Sequence, residues 1–526
     1  MRILPCGDTA LLVEVADLPQ VWALSAALGS AGLEGVLDVV PAARTVLVVT
    51  RPGTDLGSIR TALGDLPVDP ARAEPDADAV EIPVVYDGPD LEEVGRLTGL
   101  GADGVVAAHT GTPWRVAFGG FAPGFAYLVG GDERLHVARR DEPRTSVPAG
   151  SVGLAGEFSG VYPRASPGGW QIVGRTDVRL WDADRDPPGL LRPGGAVSFV
   201  AADRRSGPTS GPDDPVDRGP DMTDDPADRD ADTPCGARRL EVVATAGRAL
   251  VQDLGRPGHA ASGVGRSGAA DRSALRLVNR LLANPEDAAA IEVTFGGLTL
   301  RAGPDLPAPL TVALAGAPAP ADVDGIPVGH HALVTLRTGR TLRLGTPATG
   351  MRTYLGVRGG IAVPAVLGSR STDTLSELGP APLAEGDLLP VGPEPAGLPL
   401  LDVAPVPLPP DGTVVLRAVP GPRDDRLADP GALATTTWTV SGRSDRIGMR
   451  LEGARLDRTG RGELPSEGMV RGCVQVPPGG EPVLFLADHP VTGGYPVVAV
   501  VLDADVDRAA QARPGQRLRF RFVERP

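Results

Sequence analysis

Apolar residues fall along the chain in short alternating or continuous runs cut by glycine and proline, a pattern that predicts short β-strands joined by tight turns. GDTALLVEV (7–15) and ARTVLVVT (43–50) read as strands flanking the amphipathic segment Leu18–Leu28, giving a small α/β unit. Beyond the Pro/Asp/Ala stretch Val68–Ala79 come the strand EIPVVY, the short acidic helix DLEEVGRLTGL and further strands punctuated by Gly and Pro. The strand LEVVATAGRALVQ (240–252) opens a second half. There a helix is predicted over Asp271–Leu282, with Asp271 as N-cap and Ala274, Leu275, Val278, Leu281 and Leu282 as its apolar stripe.

Two internal echoes point to barrels. A glycine turn followed by an alternating strand recurs in LRPGGAVSFV (191–200), LRTGRTLRLG (336–345), LAEGDLLPV (383–391) and ARPGQRLRFR (512–521), each read as a hairpin turn feeding one closing strand. A looser echo relates Val147–Arg175 to Val474–Val500.

The 526 residues imply about three or four domains. Asp203–Gly236 carries ten Asp against four Arg with almost no large apolar side chain, which predicts a disordered linker between two tandem parts. The expected division is 1–80 (α/β unit), 81–202 (barrel), 203–236 (linker), 237–395 and 396–526 (the two parts of the second half, the last a β-barrel).

A net charge of −15 argues against nucleic-acid or anionic-membrane partners. Lysine is absent, which excludes a Walker-type phosphate loop, a Schiff-base lysine and a biotinyl-lysine on this chain. Cys6, Cys235 and Cys473 show no metal or disulfide spacing, Asp8 comes too early for a signal peptide, and no apolar run approaches a membrane span. The chain reads as soluble and cytoplasmic.

The stretch 108–175 is densest in candidate chemistry. His109 is a candidate general base or anion donor, weighed against a helix-capping role; Arg139, Arg140 and Arg144 are candidates to clamp a carboxylate. Phe118, Phe121, Phe125 and Tyr127 could line a pocket, though barrel core accounts for most of them. In the second half, VQDLGRPGHAASGVGRSGAADR runs from a strand through a glycine-rich loop to a helix N-terminus, where Arg256 and Arg266 and free N–H groups suit an anion. Its glycines do not form a dinucleotide fingerprint. GSRSTD adds Arg370 and Asp373. Asp445 and Arg446 read as a buried ion pair, and His489 as a surface histidine.

GDTALLVEV, HTGTPWRVAFGGFAPGFAYL, RRDEPRTSVPAGSVGLAG and SPGGWQIVGRT resemble the allophanate hydrolase subunit 1 family, also called the 5-oxoprolinase B-subunit family. VQDLGRPG, SGAADR, NRLLANPEDAAAIEVTFGG, YLGVRGGI, VLGSRSTD, SDRIGMRLEG, PSEGMVRGCVQVPPGG and VTGGYP resemble the allophanate hydrolase subunit 2 family, or 5-oxoprolinase C-subunit family. The resemblance implies a mainly β chain with some α: cyclophilin-like β-barrels in both halves and a small N-terminal α/β unit. It implies the B/C component of an ATP-dependent 5-oxoprolinase, in which ATP and Mg²⁺ belong mainly to a large partner subunit and the substrate is a small amide or lactam. A second implied reading is biotin-dependent carboxyl transfer to urea or a related amide, as in urea amidolyase. A third is a regulatory inhibitor and antagonist pair acting on a histidine kinase, which fusion of the two argues against. The expected site residues are His109, Asp253 and Asp373 as catalytic groups, with Arg144, Gln171, Arg256, Arg370 and Gln475 on substrate; no metal is expected, and a homo-oligomer stays open. Two departures from the relatives stand out: Phe158-Ser159-Gly160 where they often carry Gln-Thr-Gly, and Ala270 where they often carry methionine.

Overall fold

The computed structural model describes residues 1–69, 79–203, 238–304, 306–460 and 464–524. Beyond residue 203 the expected linker, with Cys235, lies outside them. Strands β1 (Arg2–Pro5), β2 (Ala10–Glu14), β3 (Val36–Pro41) and β4 (Thr45–Thr50) form an antiparallel sheet ordered β1-β2-β4-β3, backed by helices α1 (Leu18–Ala31) and α2 (Leu56–Asp65). Alternation gives this sheet two apolar faces. Leu11, Val13, Val46 and Val48 pack on Val21, Leu24 and Leu28 of α1, whereas Ala10, Leu12, Val40 and Leu47 pack on Met469, Cys473 and Val500 near the C-terminus.

The next sheet is an almost closed barrel. It comprises β5 (Val80–Val84), β6 (Trp114–Gly120), β7 (Ala122–Val129), β9 (Ser151–Ala155), β10 (Phe158–Val161), β12 (Gln171–Arg175) and β13 (Ala196–Ala201). The order is β12-β9-β10-β7-β6-β13-β5, and paired backbone hydrogen bonds between Val85 and Arg175, 2.8 and 2.9 Å, join its two ends. A flap of β8 (Arg144–Val147) and β11 (Ser166–Gly168) lies outside it, and α3 (Leu91–Thr98) and α4 (Gly101–Gly111) connect β5 to β6.

Eleven strands follow. β14 (Arg239–Thr245), β17 (Leu298–Ala302), β19 (Ala321–Val323), β20 (Ile326–Pro327), β22 (Thr341–Leu344) and β24 (Leu388–Pro390) make one sheet. β15 (Arg248–Gln252), β16 (Ala290–Thr294), β18 (Leu310–Gly316), β21 (Leu333–Leu336) and β23 (Arg352–Val357) make the second, and one core from Leu240 to Val391 fills the space they share. Helix α5 (Arg272–Leu281) covers β18 and β23; Asp271 accepts from the Ala274 amide at 2.9 Å, the N-cap read from the sequence.

A closed barrel ends the chain: β25 (Val414–Pro420), β26 (Trp438–Val440), β27 (Gly448–Glu452), β29 (Cys473–Gln475), β30 (Val483–Phe485), β32 (Val497–Val501) and β33 (Arg517–Phe522), with a flap of β28 (Glu467–Gly468) and β31 (Thr492–Gly493). Helices α6 (Ala432–Thr435) and α7 (Asp503–Ala509) lie between its strands in sequence. Its strand order, β25-β32-β29-β30-β27-β26-β33, repeats that of the first barrel position for position, flap included. The looser echo therefore marks equivalent strands, β9-β10-β12 and β29-β30-β32.

The glycine-turn segments do feed closing strands at β13 and β33, each parallel to the first strand of its barrel. They are not hairpins, which corrects the sequence reading. β13 pairs with β6, and β21 and β22, though consecutive, join different sheets, because the exposed turn Arg337–Arg340 passes from one sheet to the other rather than reversing within one layer. Among the described residues no helix is long and apolar enough to cross a membrane.

Candidate functional site

Close backbone contacts bring the halves together, and they explain the glycines of the AFGGF motif. A Cβ on Gly119 would lie 2.5 Å from the Ala261 carbonyl oxygen, and one on Gly468 would lie 2.6 Å from the Leu47 Cβ. Asp38 of β3 accepts from the Gly258 amide at 2.9 Å and the Ala260 amide at 3.1 Å. The glycine-rich loop is thus a nest for an anion, as expected, but the anion is a carboxylate of the first half. The start of α5 is likewise filled by a carboxylate of the protein, here one of the second half: Asp507 accepts from the Arg272 and Ser273 amides at 3.1 and 3.0 Å.

Behind this junction a cleft of about 60 Å³ is lined by Asp38, Val40 and Thr50 of the N-terminal sheet, by Gly265, Arg266 and Arg272, and by Met469, Arg471, His489, Val491 and Asp503 of the last barrel and its neighbouring segments. Arg272 and Arg471 are each 6% exposed. Asp503 lies 3.5 Å from Arg272 Nη1 and 3.4 Å from Arg471 Nε, and Asp507 lies 2.5 Å from Arg471 Nη2. Even so, Nε of Arg272 and both Nε and Nη1 of Arg471 are buried without a hydrogen-bond acceptor among the described residues. Unsatisfied buried donors are costly, so these guanidinium groups are set up to receive an oxyanion. Burial first, then the nearby Arg471 and Arg266, holds Arg272 well below the usual guanidinium range, which an arriving negative charge would relieve. Asp503 is lowered despite its burial because Arg471 and Arg272 outweigh it; burial raises Asp38.

His489 is buried and faces the same cleft, which corrects its reading as a surface residue. Its Nδ1 lies 2.8 Å from the Pro490 carbonyl oxygen. A carbonyl only accepts, so Nδ1 carries the proton and Nε2 keeps its lone pair. Burial pushes this imidazole down to about 4, and it is neutral at pH 7. Among the described residues no set of three His, Cys, Asp or Glu side chains converges to hold a metal ion.

The eight residues picked from the sequence fall elsewhere. His109 is in the core of the first barrel: Nδ1 is 2.7 Å from Tyr86 Oη, Nε2 is 2.8 Å from Ser159 Oγ, and the ring stacks on Phe199 at 4.3 Å. Burial pushes it down to about 3, and both ring nitrogens are engaged inside the core of the barrel. Asp253, Arg256, Arg370 and Asp373 do come together, as one internal knot. Asp253 accepts from Ser369 Oγ and the Arg370 amide, both at 2.6 Å, from the Gly255 amide at 2.8 Å and from Ser371 Oγ. Arg256, 1% exposed, lies 3.8 Å from Asp373 and donates to the Ser371 carbonyl; Asp373 accepts from the Leu375 and Ser376 amides, each at 2.9 Å. Those bonds fasten the 369–376 turn and engage one oxygen of Asp373 and both of Asp253. The Arg370 guanidinium points away to the Val363 carbonyl.

Arg144 shares Asp90 with Arg140, at 2.8 and 2.9 Å, and Gln171 donates to the Ala138 carbonyl at 3.3 Å while its Oε1 is buried without a hydrogen-bond partner among the described residues. Gln475 donates to the Tyr495 carbonyl at 2.9 Å and to Met469 Sδ at 3.1 Å, beneath the second flap. Phe125 packs edge-on against Tyr162 and Trp170, whereas Phe121 is 40% exposed. Arg446 is buried as expected, but its partners are Asp488 at 2.9 Å and Glu292; Asp445 caps the Ile447 and Gly448 amides instead. Cys6 and Cys473, remote in sequence, meet in the interface, and the Cys473 thiol and then burial hold Cys6 well above its ordinary value.

Comparison with known proteins identifies both parts. Residues 1–191 match the model for carboxyltransferase domain, subdomain C and D, and residues 262–522 that for carboxyltransferase domain, subdomain A and B. The chain is 37% identical over 292 residues to the 5-oxoprolinase C subunit of Escherichia coli K12, covering 53% of this chain and 90% of that protein. It is 40% identical over 204 residues to the 5-oxoprolinase B subunit of Escherichia coli O157:H7, covering 37% and 93%. Urea amidolyase of Saccharomyces cerevisiae is 30% identical over 306 residues, 53% of this chain but 16% of that protein. The crystal structure of TTHA0988 superposes with a TM-score of 0.83 at 33% identity, covering 97% of this chain and 99% of that one. The chain belongs to the carboxyltransferase-domain family of 5-oxoprolinase subunits, with a B-type part followed by a C-type part in one polypeptide.

Proposed function

We propose that this chain is the fused B/C component of an ATP-dependent 5-oxoprolinase, and that with a large partner subunit it opens the lactam of 5-oxoproline to L-glutamate. The observation that carries this reading is the cleft of Arg266, Arg272, Arg471 and His489, a carboxylate seat beside a neutral imidazole, built where the two parts meet. Hydrolysis adds water across the ring C–N bond: oxygen to the carbonyl carbon, a proton to nitrogen, leaving a second carboxylate. Arg272 and Arg471 hold the substrate's carboxylate, and His489 Nε2 accepts a proton from the attacking water. ATP and Mg²⁺ belong to the partner. This chain has no lysine or phosphate loop.

The test is L-glutamate release from 5-oxoproline, ATP and Mg²⁺ by the chain alone and with the large subunit. Glutamate formed only by the pair supports the reading; none from the associated pair removes it. The carboxyltransferase name of both family models favours a second reading, carboxyl transfer to urea or a related amide. It requires a biotinylated carboxylase in trans, and urea-dependent loss of the carboxyl group from carboxybiotin would select it.

A further inference from the structure

The cleft does not end at Arg266. A wider depression of about 510 Å³ shares Leu37, Pro52 and Arg266 with it and continues outward over Arg51, Arg276, Arg280 and Glu286. Together the two hold six arginines against three carboxylates, Asp38, Glu286 and Asp503, on a chain whose net charge is −15. Glu286 is shared between Arg276 at 3.5 Å and Arg280 at 2.5 Å, and Arg51 makes no ion pair with any described residue, so the outer end keeps surplus positive charge. The inner end has the buried unpaired N–H groups of Arg272 and Arg471. One small anion needs only one of these ends.

We infer that the trough binds an elongated dianion of the α,ω-dicarboxylate class, one carboxylate on Arg272 and Arg471 and the other toward Arg51, Arg276 and Arg280. This rests on the lactam reading above and deepens it. 5-Oxoproline carries one carboxylate, its opened product carries two, and Asp38 and Asp503 at the inner end accept from the new ammonium. The trough is therefore selective for product over substrate, and product release is a step controlled by this chain.

Calorimetric titration of the full chain with L-glutamate, glutarate and 5-oxoproline tests it. L-Glutamate and glutarate should bind at least about tenfold more tightly than 5-oxoproline. The surface double variant Arg51→Gln/Arg280→Gln should weaken both dicarboxylates about five- to tenfold and 5-oxoproline less than about twofold. Equal affinity for the three probes, or equal losses in the variant, would overturn the two-anion site while leaving lactam turnover by the complex to be judged on its own. Dicarboxylate selectivity in a chain whose complex releases no glutamate would support the trough and overturn only the lactam reading.

Discussion

Arg471 stands in the second barrel where the first has Ala149. Each directly precedes a positive-φ glycine, Gly472 at 92° and Gly150 at 78°, whose carbonyl accepts from the next-layer amide of Val501 at 2.8 Å or Thr176 at 2.9 Å. A parallel exchange puts His489-Pro490 where the first barrel has Tyr162-Pro163, ahead of the second flap strand. One architecture thus carries charged groups in one copy and an aromatic cluster in the other. Removing the planar fork should weaken the anion seat: Arg471→Lys keeps a cation near Asp503 and Asp507 but loses the paired donors. It should weaken carboxylate binding about tenfold, measured by calorimetry, with little change in the unfolding midpoint.

His109 predicts an acid-dependent stability. Its folded value is about 3 against an ordinary 6.5, so the folded protein refuses a proton that the unfolded chain accepts. The resulting stability is fully present above pH 6.5 and is lost as pH falls from there toward 3. Urea unfolding between pH 5 and 6 should show a slope about 1.4 kcal/mol per pH unit shallower in His109→Gln than in wild type. His109→Ala should cost about 2–4 kcal/mol through the lost ring and the stranded hydroxyls of Tyr86 and Ser159. Turnover per folded molecule should be unchanged in both.

Arg446 joins the last barrel to the eleven-strand unit through Asp488 and Glu292, all three side chains no more than 2% exposed. Arg446→Met strands two buried carboxylates and should destabilise the fold by about 3–5 kcal/mol, read from denaturant unfolding at pH 7. At lower pH, where the stranded acids take up protons, the deficit should shrink.

Gly119→Ala puts a methyl against the Ala261 carbonyl, backbone that cannot swing away. With a protease site placed within residues 204–237, the cut wild-type chain should stay associated and the cut variant should separate by size exclusion at micromolar concentration. Equal retention of both would show that this contact is dispensable.

Much of the architecture was legible because strands advertise themselves by alternation and helices by their caps: Asp271 with its apolar stripe marked α5, and the echo of 147–175 in 474–500 marked equivalent strands. The hairpin reading failed because a glycine turn looks the same whether the next strand stays in its sheet or passes to the other. The cleft was not legible as a candidate. Asp253 and Asp373 sit in motifs dense enough to suggest chemistry, and the fold engages them with local amides and hydroxyls. Arg272 and Arg471 each follow or precede small residues in SGAADR and MVRGC, and only the fold shows that these segments face one another across Asp503. His489 has one nearby signal, the proline after it whose carbonyl fixes its tautomer.

We predict that substrate is held in the cleft between the two parts. This is tested most directly by L-glutamate release from 5-oxoproline in the complex with the large subunit, comparing wild type with Arg266→Gln, a half-buried residue outside the ion-pair cluster. With both chains folded and equally associated, kcat/KM for the variant should fall at least about tenfold. Equal kcat/KM would contradict it and move the site away from this cleft.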